Sequence, residues 1–216
     1  MEPIRRRRTG GTSSPATPAE DGSAGPPATR VYPPREDTLL LLPFAEVARG
    51  TLLLEVGTGS GVVALAAARH GARVVATDLN PYALRLAHAK ARDEGLEVAL
   101  VRTDLARGLG RFDRVLFNPP YLPTRPEERD LDPWENLALD GGPDGCRVAV
   151  RFLAQLPEHL TPGGEAFVVV SSRQDPDVLE RTRRRWTARG GAVNAVATRA
   201  LEGERLSVWR WTVSGN

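Results

Sequence analysis

The sequence predicts an α/β fold with a seven-stranded, mostly parallel sheet, helices on both faces and an antiparallel hairpin at the C-terminal end. Two observations support this fold. Short apolar segments alternate with helical segments from residue 31 onwards, which is typical of parallel strands joined by right-handed crossovers. A glycine-rich loop follows the first apolar segment, and ligands of such sheets bind at the carboxyl ends of the strands. The residues that follow each strand are therefore the candidates for a functional site.

Composition restricts the classes of protein to consider. With 41% hydrophobic residues among 216, the chain can bury a sizeable core. Cys146 is the only cysteine, which excludes an internal disulfide and a zinc site built from several cysteines. No apolar run approaches the roughly 20 residues needed to cross a bilayer. The four consecutive arginines near the N-terminus have no apolar stretch behind them, so they do not form a secretory signal. We expect a cytoplasmic protein without a membrane partner.

Charge is unevenly distributed along the chain. Residues 1–30 hold five arginines against three acidic residues, so they account for the whole net charge of +2, and residues 31–216 are neutral. A domain that binds phosphate backbones usually carries a basic excess, so a long nucleic acid is disfavoured as the substrate. Residues 1–30 are also rich in Gly, Pro, Ser, Thr and Ala. We expect them to be a disordered tail before one domain, residues 31–216.

The first half of the domain is predicted to contain strand–helix units behind one leading helix. Residues 51–56 (TLLLEV) form a continuous apolar run of the kind found in buried parallel strands. The helix after the second strand has Asn80 at its cap, Pro81 in its first turn and Gly95 past its end, the expected asymmetry. The predicted elements are a helix at 35–49, a strand at 51–56, a helix at 61–70, a strand at 72–77, a helix at 81–94, and strands at 97–103 and 112–117.

The second half contains fewer elements. A Pro-Gly-Gly sequence at 162–164 predicts a turn between a helix and the fifth strand. Two last apolar segments are predicted to pair as the closing hairpin. The predicted elements are a helix at 144–160, a strand at 166–171, a helix at 175–189, and strands at 192–197 and 206–213.

The loop after the first strand has the pattern Glu55-x-Gly57-x-Gly59-x-Gly61. Glycines allow a sharp turn and a close approach of a ligand to the backbone. A nicotinamide-dinucleotide loop is excluded, because its pattern G-x-G-x-x-G would need a glycine at Val62. The loop resembles instead the first motif of class I methyltransferases, which implies that it wraps the amino-acid part of S-adenosylmethionine. The alternative is a tight strand-to-helix turn without a ligand.

Acidic residues follow the second and third strands. Asp78 lies 21 residues after Gly57, a spacing at which a carboxylate accepts both ribose hydroxyls of a nucleotide. Asp104 occupies the equivalent place after the third strand. The methyltransferases that the glycine loop resembles bind adenine there, which implies adenine contacts for Asp104 and its neighbour Leu105. The alternative for each aspartate is to cap the following helix.

The fourth strand ends in the NPPY loop, Asn118-Pro119-Pro120-Tyr121. Its two prolines stop the strand and fix the loop, because each lacks an N–H donor and has a restricted φ. A planar amide or aromatic amino group is a poor nucleophile, since its nitrogen lone pair is delocalised. The Asn118 side-chain oxygen and the Pro119 carbonyl can accept hydrogen bonds from such an NH2 group and hold it for attack, while Tyr121 packs on its plane. The loop therefore predicts methyl transfer to a planar nitrogen, with Asn118 also close to the cofactor. The alternative is a proline-terminated strand without a catalytic role.

Several stretches together resemble the HemK-like glutamine methyltransferases. They are VYPPREDT at 31–38, EVGTGSG at 55–61, the NPPY loop, LALDGGPDG at 137–145 and ERLSV at 204–208. That family methylates the side-chain amide of the glutamine in a Gly-Gly-Gln loop of peptide-chain release factors. The resemblance implies the same reaction, a class I methyltransferase (Rossmann-like) fold, S-adenosylmethionine as cofactor and Thr38 as a further cofactor contact.

The resemblance is greatest to the compact archaeal and eukaryotic branch of that family. Bacterial release-factor enzymes carry an N-terminal helical domain, where this chain has its predicted tail. Members of the compact branch often pair with a small zinc-binding activator protein, which is therefore an expected partner. If the source is bacterial, a different protein substrate is implied.

Residues 122–140 form a long segment after the NPPY loop, and a long loop in a compact domain tends to be functional. It contains Glu127, Glu128, Asp130, Asp132, Trp134 and Glu135. This acidity would repel a nucleic-acid backbone and tolerate a basic protein loop, so it favours a protein substrate; the alternative is a solvated surface loop. The competing functions are N-methylation of adenine N6 or guanine N2 in ribosomal RNA or DNA, and a non-catalytic scaffold on the same fold. The three histidines have no ligand spacing, so no metal site is predicted.

Overall fold

The computed structural model describes residues 30–128 and 132–213. The strands are β1 (Leu52–Val56), β2 (Arg73–Asp78), β3 (Val98–Arg102), β4 (Phe112–Phe117), β5 (Leu160–Ser171), β6 (Ala192–Leu201) and β7 (Glu204–Thr212). The helices are α1 (Glu36–Leu41), α2 (Val62–Arg69), α3 (Pro81–Asp93), α4 (Pro133–Leu139), α5 (Arg147–His159) and α6 (Pro176–Thr187). The predicted tail, apart from Arg30, lies outside the described residues, as does Asp130.

Within the described ranges, the strands form one sheet in the order β3-β2-β1-β4-β5-β7-β6. The first five strands in this order are parallel to one another, whereas β7 runs antiparallel to both β5 and β6. This confirms the predicted seven-stranded sheet with its closing hairpin. β2 and β3 are added on one side of β1, and β4 and the later strands are added on its other side. That reversal opens a crevice at the carboxyl ends of β1 and β4.

Two apolar cores cover the two faces of the sheet. Successive residues of β4 point to opposite faces, so Val115 packs in one core and Leu116 in the other. The first core contains Phe152 and Leu156 of α5 and Trp186 of α6. The second is built from α1 and α2 and contains the residues Leu41, Val63, Ala64 and Ala67. Burying a side chain such as Phe152 completely contributes roughly 1.5–3 kcal/mol, so the sheet is held from both sides.

The first predicted helix is shorter than the sequence suggested. We expected residues 35–49, but α1 ends at Leu41 and a single 3₁₀ turn, Leu42–Ala45, follows it. Pro43 explains the change, because it has no N–H to donate to the Leu39 carbonyl in an α-helical hydrogen bond. Residues 46–50 then lead to β1 without helical structure.

Three further differences lie in the second half of the chain. α4 was not predicted, although Asp132 caps it and Pro133 occupies its first turn. α5 begins at Arg147 rather than 144, because the preceding residues form a turn. β5 begins at Leu160 and contains the predicted Pro-Gly-Gly turn as a bulge: Phe112 pairs with Leu160, whereas Arg114 already pairs with Glu165. None of the helices in the described ranges combines the length and the apolar character needed to span a bilayer.

Candidate active site

A cavity of about 630 Å³ lies at the carboxyl ends of β1, β2 and β4. Nearly all of the residues predicted for the site line it: Thr38, Glu55, Gly57, Gly59, Asp78, Asp104, Leu105, Asn118, Pro119, Pro120 and Tyr121. The fold brings them together because each one lies at or just after the carboxyl end of a strand, or, for Thr38, in α1. The cavity is therefore the candidate active site.

The glycine loop forms one wall of the cavity. Gly57 and Gly59 have φ values of +65° and +51°, in the left-handed region that favours glycine. A Cβ on Gly59 would meet no atom within 4 Å. The space beside the Gly59 Cα is therefore open to a ligand.

Glu55 stabilises the glycine loop through hydrogen bonds. Its Oε2 accepts hydrogen bonds from Thr58 Oγ1 at 2.6 Å and from Ala64 N at 2.8 Å. Burial raises the pKa of the Glu55 carboxyl group to about 8, and the two hydrogen bonds oppose that rise without cancelling it. Glu55 thus fixes the loop and the start of α2, and also lines the cavity.

Gly61 was predicted to contact the cofactor, but it is not among the lining residues. A Cβ at Gly61 would lie 2.8 Å from the Ala87 Cβ, so glycine is needed there for the close packing of α2 against α3. The third glycine of the motif therefore serves helix packing, and the first two face the ligand space.

Asp78 ends β2 at the floor of the cavity. Its Oδ2 accepts a hydrogen bond from Gly59 N at 2.9 Å, and its Oδ1 accepts one from Asn80 N at 2.8 Å. Burial raises the pKa of this carboxyl group. The cap of α3 is Asn80, whose side chain accepts from Tyr82 N, so the helix-capping alternative for Asp78 does not apply. Each Asp78 oxygen has a further lone pair with which to accept from a ligand hydroxyl.

Asp104 and Leu105 line the cavity beyond β3. Both Asp104 carboxylate oxygens accept from Arg151 Nη2 of α5, and the two side chains are 46% and 50% exposed. Leu105 has a φ of +56° and is the one described non-glycine residue with a positive φ. A left-handed branched residue is strained by roughly 1–2 kcal/mol, and such strain is concentrated at binding sites.

The NPPY loop closes the cavity at the end of β4. Asn118 Oδ1 is buried without a hydrogen-bond partner within the described structure, and Asn118 lines the cavity. A buried amide oxygen without a partner costs free energy. It is satisfied if a ligand N–H enters the cavity beside it.

Tyr121 links the loop to a residue that the sequence did not single out. Its hydroxyl donates to Asp37 Oδ2 at 3.1 Å. Burial, and then the charges of Asp37 and Glu204, raise the pKa of the Tyr121 phenol. The Asp37 residue is 4% exposed. Glu204, the first residue of β7, accepts a hydrogen bond from Ser171 Oγ. Asp37 and Glu204 both lie in stretches that carry the family resemblance. That resemblance was the one sequence feature that could have identified them as site residues.

A tight turn at residues 141–145 supports the NPPY loop from behind. Gly145 has a φ of +68°, and a Cβ there would be 2.4 Å from the Tyr121 carbonyl oxygen. Gln174 Nε2 donates to the Gly145 carbonyl, and Gln174 Oε1 accepts from Ser171 N at the end of β5. The Gly-Gly-x-x-Gly sequence thus has a structural explanation: only glycine lets this turn contact the loop backbone so closely.

The described part of the segment 122–140 contains the helix α4. Leu122 forms a β-bridge with Asp140, so the two ends of the segment lie side by side. Trp134 of α4 lines the cavity and packs edge-on against Tyr82 at 5.9 Å between ring centroids. Glu127 and Glu128 are exposed. The segment therefore contributes an aromatic wall to the cavity and an acidic surface outside it.

These residues have the chemistry to hold S-adenosylmethionine. The open glycines and Thr38 can hold an amino acid, the Asp78 carboxylate can accept from ribose hydroxyls, and Asp104 beside Leu105 can accept from an adenine amino group. In the residues that the structure describes, no three His, Cys, Asp or Glu side chains are grouped so as to hold a metal ion.

Known proteins resemble this chain. A family model described as "Methyltransferase small domain" matches residues 36–132. "Methyltransferase HEMK2" of Mus musculus is 38% identical over 197 residues, which are 85% of this chain and 90% of the mouse protein. "Release factor glutamine methyltransferase" of Deinococcus radiodurans is 41% identical over 167 residues, which are 71% of this chain and 59% of that protein. The E. cuniculi Mtq2–Trm112 complex, described as responsible for methylation of the eRF1 translation termination factor, aligns with a TM-score of 0.66 at 27% identity. That alignment covers 86% of this chain and 99% of the other.

Proposed function

Because this chain belongs to the HemK-like family of protein-glutamine methyltransferases, we propose that it methylates the side-chain amide of the glutamine in a Gly-Gly-Gln loop of a peptide-chain release factor. The methyl donor is S-adenosylmethionine. The observation that carries the proposal is the buried Asn118 Oδ1 without a partner, at the end of β4 in a cavity with an open glycine wall.

The cofactor is assigned to the half of the cavity between the glycine loop and β3. Gly57, Gly59 and Thr38 hold its amino-acid part, Asp78 accepts from the ribose, and Asp104 with Leu105 borders the adenine. The positive φ of Leu105 supports this assignment, because strained backbone is retained where a ligand needs it. When bound, S-adenosylmethionine supplies an electrophilic sulfonium methyl group.

Asn118 and Pro119 prepare the acceptor nitrogen. Their oxygens accept from the two N–H groups of the glutamine amide, which holds the nitrogen in line for attack and favours localisation of its lone pair. Pro119 and Pro120 keep these oxygens in place, since a proline-fixed loop needs little reorganisation during the reaction. The proton that the nitrogen loses leaves after methyl transfer, so the loop itself needs no general base.

A protein acceptor suits the electrostatics of this half of the cavity. Asp37 is buried, whereas Glu204 is paired with Arg173 at 3.6 Å. The buried Asp37 carboxylate beside Tyr121 disfavours a phosphate there, whereas a neutral amide on a flexible glycine loop carries no charge to repel. A base in a duplex would also have to be flipped out, at a cost of a few kcal/mol.

A small activator protein is the proposed partner, and we expect it to bind zinc. The Mtq2 relative is described in complex with Trm112. The assay therefore needs both conditions, with and without a candidate activator from the same source.

The test is direct methylation of the release factor. The enzyme, S-adenosylmethionine and the release factor are incubated, and mass spectrometry measures the mass of the peptide that contains Gly-Gly-Gln. We expect one added methyl group on the glutamine and none after Gln→Ala in the substrate. If ribosomal RNA gains the methyl group and the release factor does not, base methylation is the function; turnover of S-adenosylmethionine on either acceptor excludes the scaffold alternative.

Asn118→Ala separates chemistry from cofactor binding. The side chain is proposed to contact the acceptor amide, so turnover should fall by roughly 10²-fold or more. The affinity for S-adenosylmethionine, measured by calorimetry, should change little. Asn194→Ala, on the exposed edge strand β6, is the matched control and should behave as the parent. Near-normal turnover in Asn118→Ala would remove Asn118 from the mechanism.

A further inference from the structure

The contact between Asp37 and Tyr121 joins segments that are 84 residues apart in sequence. Asp37 belongs to the first turn of α1, and Tyr121 is the last residue of the NPPY loop. Asp37 Oδ1 accepts from Thr38 N at 2.7 Å, while Oδ2 accepts from the Tyr121 hydroxyl at 3.1 Å. One oxygen of the Asp37 carboxylate thus binds the backbone N–H of the next residue, and the other binds the Tyr121 hydroxyl.

We infer that Asp37 is a positioning residue, which acts through Tyr121 by fixing its ring as the wall on which the acceptor amide packs. The inference rests on the proposed function and adds a residue to it. Asp37 itself need not touch the acceptor or the cofactor.

Two other contacts hold Tyr121. Its carbonyl oxygen packs against the Cα of Gly145 so closely that a Cβ there would be 2.4 Å away, and its half-buried side chain packs against the second apolar core. Neither contact is directional at the hydroxyl end of the ring. The hydrogen bond to Asp37 is directional, so it fixes the tip of the ring as well as its base.

The hydrogen bond between Tyr121 and Asp37 also determines whether the Tyr121 hydroxyl can act as a donor or as an acceptor toward a substrate. A phenol has one proton, and Tyr121 donates its proton to Asp37. Its oxygen can therefore only accept from any other group. Burial and the nearby charges of Asp37 and Glu204 raise the pKa of the phenol, so it keeps that proton at neutral pH. The lone pairs on the Tyr121 hydroxyl oxygen and on Asn118 Oδ1 can accept hydrogen bonds. They therefore suit a methyl-accepting substrate group that donates N–H.

The test is a mutant cycle on release-factor methylation. Asp37→Ala should lower kcat/KM for the release factor on the order of 10- to 100-fold, as expected for a misplaced contact in the site. Asp37→Asn should recover most of this loss, because its amide oxygen accepts the same hydrogen bond. Tyr121→Phe with Asp37→Ala should be no worse than Tyr121→Phe alone. The dissociation constant for S-adenosylmethionine should be unchanged in Asp37→Asn, and Leu39→Ala, exposed on the same helix, should behave as the parent.

Two results would overturn the inference. One is a double variant that is worse than Tyr121→Phe by the full factor seen for Asp37→Ala, since Asp37 would then act independently of Tyr121. The other is an Asp37→Asn variant that is as impaired as Asp37→Ala.

A second measurement needs no substrate and so separates this inference from the proposed function. Asp37→Ala, Tyr121→Phe and the double variant are unfolded with urea. Their changes in the free energy of unfolding should be non-additive, because each single change removes the same hydrogen bond. Additive changes would overturn the inference. If the changes are non-additive but the release factor is not methylated, the contact stands and only the proposed function fails.

Discussion

Asp78 combines two tasks in one side chain. Its oxygens already accept from Gly59 N and Asn80 N, and they are proposed to accept from the ribose of the cofactor as well. A carboxylate can do both, because its two oxygens offer about four lone-pair sites. The glycine loop and the cofactor are thus aligned by the same group.

Asp78→Ala should therefore weaken S-adenosylmethionine binding by about 1.5–3 kcal/mol, the scale of hydrogen bonds to a charged group. Calorimetry measures this as a dissociation constant roughly 10- to 150-fold larger. Asp93→Ala is the matched control, because Asp93 is 68% exposed at the end of α3. An unchanged affinity in a folded Asp78→Ala variant would disprove the ribose assignment.

Glu55 makes the stability of the protein depend on pH. Its pKa is raised to about 8 in the folded chain from 4.5, mainly by burial. The folded state therefore holds a proton that the unfolded chain has lost, and the free energy of unfolding falls as the pH rises from about 4.5 to about 8. Glu55→Gln has no proton to lose and keeps an oxygen for Thr58 and Ala64.

We expect Glu55→Gln to melt at a higher temperature than the parent at pH 8–9 and at about the same temperature near pH 4.5. Thermal unfolding followed by circular dichroism across this range measures the difference. Glu158→Gln, on an exposed position of α5, should follow the parent at every pH. If the parent and Glu55→Gln differ by a constant amount at all pH values, Glu55 does not titrate in this range.

The residues found from sequence were those inside local motifs. Gly57, Asp78 and Asn118 each lie at or just after the end of a strand at a characteristic spacing, and a short window of sequence is enough to identify them. The contact between Asp37 and Tyr121 was not predictable in this way. It depends on α1 and β4 meeting in three dimensions, and no local spacing encodes that.

Among the secondary structure elements, the buried strands were predicted well because each is a short apolar run bounded by turn residues. α4 was missed, although Asp132-Pro133 resembles the caps Asn80-Pro81 of α3 and Asp175-Pro176 of α6. The helix has only 7 residues and no buried ones, so its apolar periodicity gave little signal. The bulge in β5 was read as a turn because Pro-Gly-Gly has the same local chemistry in either setting.

Gly145 tests how the turn at 141–145 supports the NPPY loop. Gly145→Ala should destabilise the protein by more than the roughly 1–2 kcal/mol of left-handed strain, because the new Cβ would also lie 2.4 Å from the Tyr121 carbonyl. The displaced loop should lower methyl transfer as well. Urea unfolding and turnover are the two measurements.

The control for this substitution is Gly95→Ala. Gly95 has a φ of +65°, nearly that of Gly145, and a Cβ there would meet nothing within 4 Å. It should therefore show the strain alone and keep full turnover. Equal effects on stability and turnover at both positions would mean that the contact with Tyr121 is unimportant.

For the molecule as a whole, the sheet and its two cores are complete within residues 30–213, and the candidate site lies inside this unit. Arg30 is the first residue that the structure describes: its guanidinium donates to the Tyr82 hydroxyl at 2.8 Å, and its carbonyl accepts from Asn80 Nδ2 at 2.8 Å. These contacts reach the same loop that follows Asp78.

The last prediction concerns the boundary of this unit. Residues 1–28 offer almost nothing to bury, so their removal should leave the melting temperature and the affinity for S-adenosylmethionine unchanged. Starting the chain at Thr29 preserves the peptide bond before Arg30. Arg30→Ala in the full chain should lower the melting temperature slightly, because it removes the contact with Tyr82. A large fall in melting temperature after removal of residues 1–28, seen by differential scanning calorimetry, would instead show that the segment stabilises the domain, and the boundary at residue 30 would be wrong.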